Sequence, residues 1–173
     1  QHLASDLVLR TSYVAPFTTA VDSDWRPVVG GTQTGNEVFI AWQRDNATPF
    51  ANTANSAVYG GVFDTVINAV TVPAFVLRNR PNRDQERPTI NRLAATGEWL
   101  VAFQEHDGTV ANDDWDVVLY EVDDLGVATA TGIDVATAGT TTLHKLAPQI
   151  EGAAGRYCLT YGTQVFQLPS PKP

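Results

Sequence analysis

The chain of 173 residues has no methionine, one cysteine and fewer basic than acidic side chains. With 11 Lys and Arg against 19 Asp and Glu, its formal net charge is -8. Nucleic-acid binding depends on basic side chains that displace counterions from phosphates, so we expect no nucleic-acid partner. No apolar run approaches the roughly 18 residues of a membrane-spanning helix, so we expect no membrane insertion either.

The missing methionine and the single cysteine bear on processing and on thiol chemistry. Because the sequence begins at Gln1 without an initiator, we interpret it as a processed or excised product. Removal of a secretory signal would explain this start, and it predicts a secreted, extracellular or periplasmic protein. Cys158 lies in the apolar run 157–161, where a small buried hydrophobic residue is expected in preference to a reactive thiol.

Signatures of catalysis are scarce as well. His2, His106 and His144 match no zinc-binding spacing, and the sequence contains no nucleophile elbow, phosphate-binding loop or dinucleotide-binding glycine motif. The sequence therefore predicts no catalytic residues and no cofactor, apart from a calcium ion considered below. It favours a protein that is not an enzyme.

What the sequence does contain is a repeat of about sixty residues. RPVV at 26–29 precedes EVFIAWQ at 37–43, and RPTI at 87–90 precedes EWLVAFQ at 98–104. A weaker copy within 147–161 has APQI followed by RYCLTY. Self-similarity at a fixed period predicts a repeat architecture.

Each repeat contains four runs rich in Val, Ile, Phe, Tyr, Trp and Thr, separated by Gly, Asn, Asp and Pro. These runs favour strands, and none has the 3.6-residue apolar period of a helix. We name the four strands A, B, C and D in chain order. They are expected at 28–31, 37–44, 57–64 and 69–77 in the first complete repeat, and at 89–93, 98–105, 116–123 and 127–134 in the second.

An all-β fold made of four-stranded antiparallel repeats is typical of β-propeller blades, and a β-trefoil is the alternative. Residues 6–9 resemble strand C, and the third copy ends after strand B, so the register corresponds to about three blades. Propellers typically have four to eight blades, so another copy or a larger parent chain is expected to complete the ring. The predicted single domain, residues 1–168, comprises a partial blade at 1–25, blades at 26–86 and 87–146, a partial blade at 147–168, and then a Pro-rich tail at 169–173.

The order of Pro, short strand, Gly or Asn, apolar strand B and Asp-rich loop, followed by DVVLY at 116–120 and DLG at 124–126, carries a resemblance. It resembles the repeats of large secreted bacterial propeller-like proteins over nearly the whole chain. The resemblance implies a secreted propeller. It implies no activity and no site residues, because propellers include enzymes, lectins and scaffolds.

In such a blade the B-to-C and D-to-A connections emerge at one end, and loops on a rigid scaffold commonly carry function. Trp25 and Trp115 fall at this end among Asp and Asn. An indole can stack on a sugar ring while neighbouring polar side chains form hydrogen bonds with the hydroxyl groups of the sugar. The alternative is that both indoles pack between blades. The candidate ligand-binding residues are Trp25, Trp115, Asp107, Asn112, Asp113, Asp114 and Arg87.

Two other binding modes involve the same region. Oxygen ligands from the acidic and amide residues of 107–116 can bind Ca²⁺, although their spacing matches no EF-hand, and solvated turns are the alternative. The Arg-rich segment 78–92 can clamp a carboxylate or sulfate, unless Asp84 and Glu86 neutralise it within the loop.

The sequence thus favours a secreted or cell-surface propeller segment that binds an extracellular ligand, with carbohydrate preferred. A structural subunit or fragment of a larger assembly is the first alternative, because unpaired strand edges seek partners. A glycoside hydrolase or other hydrolase is the second, with Glu37 and Glu98 as the carboxylate pair. Their equivalent places in successive repeats favour structural ion pairs with Arg26 and Arg87 instead.

Overall fold

A computed structural model describes residues 17, 23–31, 35–45, 56–78, 80, 83–92, 97–106, 115–123, 125–128, 133–134, 143–153 and 156–165. Within these residues all regular elements are strands, which confirms the predicted all-β class. No helix in this part of the chain is long and apolar enough to cross a membrane. The strands are β1 (Ser23–Gly31), β2 (Glu37–Asp45), β3 (Ser56–Asp64), β4 (Ala69–Val76), β5 (Asp84–Arg92), β6 (Trp99–His106), β7 (Trp115–Val122), β8 (Ile133–Asp134), β9 (Leu143–Ala153) and β10 (Arg156–Val165).

The strands form three antiparallel sheets in the order of the repeats. Strands β1 to β4 form the first sheet, β5 to β8 the second, and β9 pairs with β10 in the third. In the two four-stranded sheets each strand pairs with its sequence neighbour, as predicted for strands A to D. The strand C-like segment at 6–9 and the tail at 169–173 lie outside the described residues.

Strand A is longer than predicted because it continues through a β-bulge at each Xaa-Pro pair. In β1, Trp25 pairs with Gln43 and Val28 with Ala41, so β1 carries one extra residue. The same shift occurs at Arg87-Pro88 in β5 and at Ala147-Pro148 in β9. Because proline has no N–H to donate to a strand ladder, the sequence predicts that strand A begins after it. A bulge leaves one residue unpaired, so proline is tolerated there and the strand continues through it.

The first residue of each bulge has a left-handed backbone. The φ angles are 47° at Arg26, 54° at Arg87 and 52° at Ala147. Residues other than glycine rarely adopt such angles, and a following proline restricts them further. The same unusual conformation therefore occurs at three equivalent positions.

The first and second sheets share one apolar core. Alternate residues of β6, namely Trp99, Val101 and Phe103, pack against residues such as Phe39 and Val58 of the first sheet. The Trp99 ring lies 5.6 Å from that of Phe39, and its Nε1 donates to the Gly30 carbonyl at 3.0 Å. The two-residue period of a strand sends these side chains to a single face.

The opposite face of β6 packs against the third sheet. Leu100 and Ala102 of β6 meet Ile150 of β9 and the partly buried Leu159 of β10. Strand β6 is therefore covered on both faces, which explains its apolar run at 99–103. Cys158 is exposed, contrary to expectation, because its neighbour Leu159 takes the inward position and successive side chains of a strand alternate.

Of the predicted strand D at 127–134, the structure describes 127–128 and 133–134. In this described part Ile133–Asp134 pairs with β7, and a separate bridge joins Val122 to Ala128. The turn between them depends on Asp123, whose Oδ1 accepts hydrogen bonds from the amides of Leu125 at 3.0 Å and Val127 at 2.7 Å. Such Asx-type bonds stabilise a tight turn.

Candidate functional site

One end of the sheets, which we call the loop end, is where the sequence places its candidate ligand-binding residues. In the first sheet Ser23 pairs with Asp45, which pairs with Ser56. In the second sheet Asp84 pairs with His106, which pairs with Trp115. The Ser56 amide also donates to Asp84 Oδ1 at 3.1 Å, so these ends lie side by side. The B-to-C and D-to-A connections thus leave from a common end, as the topology predicts.

Among the described candidate residues, Trp115 is the one best placed for a ligand. It is the first residue of β7, and it is only partly buried. Its ring lies 4.9 Å from the His106 ring at an interplanar angle of 33°. His106 ends β6 and Trp115 begins β7, so in the sequence the two residues bound the connection 107–114. An aromatic pair of this kind offers a flat apolar surface next to an Asp- and Asn-rich segment.

Trp25 lies on a different sheet from Trp115. It is a partly buried residue of β1, directly before the bulge. Its acidic neighbour Asp24 is occupied by structural bonds: Asp24 Oδ1 accepts from Arg44 Nε at 2.7 Å and from Trp42 Nε1 at 3.0 Å. The Arg44 guanidinium also lies over the Tyr59 ring at 4.5 Å. Asp24 therefore anchors the buried Arg44 in the first sheet.

The remaining acidic candidates lie in or beside the second B-to-C connection. Asp107, Asn112, Asp113 and Asp114 are outside the described residues. Asp116, part of the calcium hypothesis, accepts a 2.6 Å hydrogen bond from Lys145 Nζ. This ion pair joins β7 to β9 and so links the second sheet to the third. Among the described residues no group of three or more His, Cys, Asp or Glu side chains is arranged to hold a metal ion.

A buried charge cluster that the sequence did not predict lies beneath the loop end. Glu105 is 2% exposed and forms ion pairs with Arg78 at 3.4 Å and Arg83 at 3.0 Å. The Gln85 amide nitrogen donates to Glu105 Oε2 at 2.9 Å, and its oxygen accepts from the Val58 amide at 3.2 Å. The cluster thereby connects the second sheet to β3 of the first. Its only signal in the sequence is that Asp24, Gln85 and Lys145 are polar at the same repeat position.

Arg87, the last candidate residue, lies at the bulge of β5. It is exposed, and it lines a cavity of about 400 Å³ between the first strands of the three sheets. We call this space the hub cavity. Its lining consists of Arg26, Pro27, Val28, Arg87, Pro88, Ala147, Pro148 and Gln149.

The expected ion pair between Arg26 and Glu37 is not formed. Arg26 Nη1 lies 3.4 Å from Glu86 Oε2 of the next repeat. Glu37 Oε1 instead accepts from Thr71 Oγ1 at 3.4 Å. The register explains the difference. Trp25, which precedes Arg26, pairs with Gln43, and Gln43 lies six residues beyond Glu37 on β2, or about 20 Å along the strand.

Comparison with known proteins identifies no relative. Neither a protein-family model, nor a curated protein, nor a solved structure matches this chain. Side-chain geometry at the loop end and the hub cavity is therefore the basis for assigning a function.

Proposed function

We propose that this chain is a segment of a secreted β-propeller that binds carbohydrate through its loop end and is not an enzyme. The propeller assignment is supported by two observations on the sheets. They pack face to face in the order of the repeats, and the first strand of each lines the hub cavity. Sheets arranged around a central channel by their first strands are typical of propellers.

The aromatic pair at Trp115 is the observation that carries the binding proposal. An indole that is partly exposed and backed by the His106 ring is a preformed surface for the apolar face of a sugar. The strands beneath it are fixed by the Glu105 cluster and by the bond from Lys145 to Asp116. A rigid platform lowers the entropy that is lost when a ligand binds.

A glycan array with the full chain tests this proposal. We expect retention of a defined set of glycans and its loss in Trp115→Ala, since stacking on an indole cannot be replaced by a methyl group. Tyr157→Ala is the matched control, because Tyr157 is 43% exposed but lies next to the β9–β10 turn, at the opposite end of the sheets. An array on which nothing binds, or equal binding by Trp115→Ala, would exclude carbohydrate recognition at the loop end.

A second candidate function, a structural subunit, is favoured by the third sheet. In the described part of the chain β10 pairs only with β9, whereas the equivalent strands β2 and β6 each have neighbours on both sides. Unpaired edges form hydrogen bonds with other strands. A second copy of the chain is the proposed source of a strand beside β10, and light scattering after size-exclusion chromatography tests it. A mass twice that of the 18.7 kDa chain supports a dimer, and a monomer at all concentrations contradicts it.

A further inference from the structure

We propose that the hub cavity is a separate binding site for a small organic carboxylate. Its volume of about 400 Å³ is within the 300 to 1,000 Å³ that is usual for small-molecule pockets. The cavity is formed by the equivalent bulges of β1, β5 and β9, which lie far apart in sequence. It is independent of the aromatic pair at the loop end, because neither Trp115 nor His106 belongs to its lining.

The charges at the hub cavity favour an anion. Arg26 and Arg87 contribute two guanidinium groups, although the chain as a whole has a net charge of -8. Glu86, which lies beside them, pairs with Arg26 at 3.4 Å and accepts from Gln104 Nε2 at the same distance. Within the described residues Arg87 forms no ion pair with any carboxylate. One guanidinium fork is thus available, and forks of this kind bind carboxylates with two parallel hydrogen bonds.

The backbone of the cavity is held in an unfavourable conformation. Residues other than glycine rarely adopt a left-handed backbone, and the cavity contains three that do, at Arg26, Arg87 and Ala147. Outliers of this type cluster at ligand sites, where the surrounding fold compensates for them. Here the bulges bring both arginines to one cavity from neighbouring sheets.

The shape of the lining indicates an organic acid and not a simple inorganic ion. Pro27 is exposed and provides rigid apolar surface next to the guanidinium groups, whereas Pro88 and Pro148 are buried. Such surface makes contact with a carbon skeleton and contributes nothing to a bare anion. Gln149 adds an amide that can bond a hydroxyl group. A hydroxylated carboxylate such as a sugar acid meets these requirements.

Calorimetric titration of the full chain with glucuronate and with glucose tests the proposal. The two probes share a ring and differ in the carboxylate, so we expect heat from glucuronate and none from glucose at the same millimolar concentration. Arg87→Gln removes the available guanidinium and should weaken glucuronate binding about 10- to 100-fold, the usual range for a charge-assisted hydrogen bond. Arg156→Gln makes the same charge change on β10, outside the cavity, and should bind like the parent chain.

Two further variants separate this site from the loop end. Ala147→Arg introduces a third guanidinium at the equivalent bulge position and should tighten glucuronate binding, since Arg26 and Arg87 already adopt that backbone conformation. Trp115→Ala should leave glucuronate binding unchanged. Equal affinities for Arg87→Gln and Arg156→Gln, equal binding of glucose, or loss of glucuronate binding in Trp115→Ala would each overturn the proposal. Circular dichroism establishes that every variant is folded.

Discussion

Glu105 shows how a single buried charge joins two repeats. A carboxylate removed from water is unstable unless partners replace its hydration, and Glu105 has two arginines and the Gln85 amide as partners. Gln85 in turn accepts from the amide of Val58 in the first sheet. The same repeat position in β9 is Lys145, which bonds to Asp116 of the second sheet. Polar side chains near the start of strand A thus connect the second sheet to the first and the third sheet to the second.

Replacement of Glu105 by alanine should be strongly destabilising. The change removes the carboxylate that neutralises Arg78, whose side chain is 6% exposed, and losses of this kind cost about 3–5 kcal/mol. Urea unfolding measures the effect as a lower midpoint. Glu151→Ala serves as the control: Glu151 is exposed and has a 3.5 Å contact with Asn91, so its loss should change stability by less than about 0.5 kcal/mol. Similar effects for both variants would contradict a special role for the buried cluster.

At the scale of the element, strand A is an interrupted strand, and its bulge determines what the cavity contains. Two residues of β5, Arg87 and Pro88, stand opposite the single residue Phe103 of β6. The extra residue turns the strand and lets Arg87 adopt a positive φ. Because each repeat has its bulge at the same place, the three Xaa-Pro pairs meet at one cavity. A regular strand would direct these side chains to alternate faces.

The strain at the bulges predicts an unusual response to glycine. Ala147→Gly should stabilise the chain by about 0.5–1 kcal/mol, because relief of a left-handed alanine, worth about 1–2 kcal/mol, exceeds the entropy cost of glycine in a strand. Ala147 is exposed, so little packing is lost. Ala74→Gly, at an exposed position of β4 whose φ is not positive, should instead destabilise by about 0.5–1 kcal/mol. Thermal unfolding of the two variants measures these changes in stability. Equal losses of stability in both variants would show that the bulge is not strained.

Strands B and C could be predicted from sequence to within one or two residues because each is a dense apolar run between turn residues. Strand β6 is the clearest case, since burial on both faces requires apolar residues throughout its first half. The first residues of strand A were missed because a proline was taken as a boundary. The Glu105 cluster was missed because its partners lie 20 or more residues apart, and nothing in a single sequence reports such contacts.

On the scale of the whole molecule, the second sheet connects the other two. One face of β6 contributes Trp99 to the core shared with the first sheet, and the other face contributes Leu100 to the core shared with β9 and β10. A substitution that weakens packing on one face of β6 should therefore also weaken packing on its other face. Repeats coupled to their neighbours in this way share stability across each interface. We accordingly expect the described sheets to unfold as one unit.

Ile150→Ala tests this coupling from the third sheet. Ile150 is 3% exposed, and its truncation should cost about 2–5 kcal/mol. All four tryptophans lie in the first two sheets, so their fluorescence reports on those sheets, whereas far-ultraviolet circular dichroism senses all the strands. If the sheets unfold together, both signals shift to the same lower urea midpoint, since coincident transitions are the mark of two-state behaviour. Val29→Ala, at a 61% exposed position of β1, should shift neither signal by more than about 0.5 kcal/mol. A loss of circular dichroism that precedes the fluorescence change would instead mean that β9 and β10 unfold alone, and that the two cores are energetically independent.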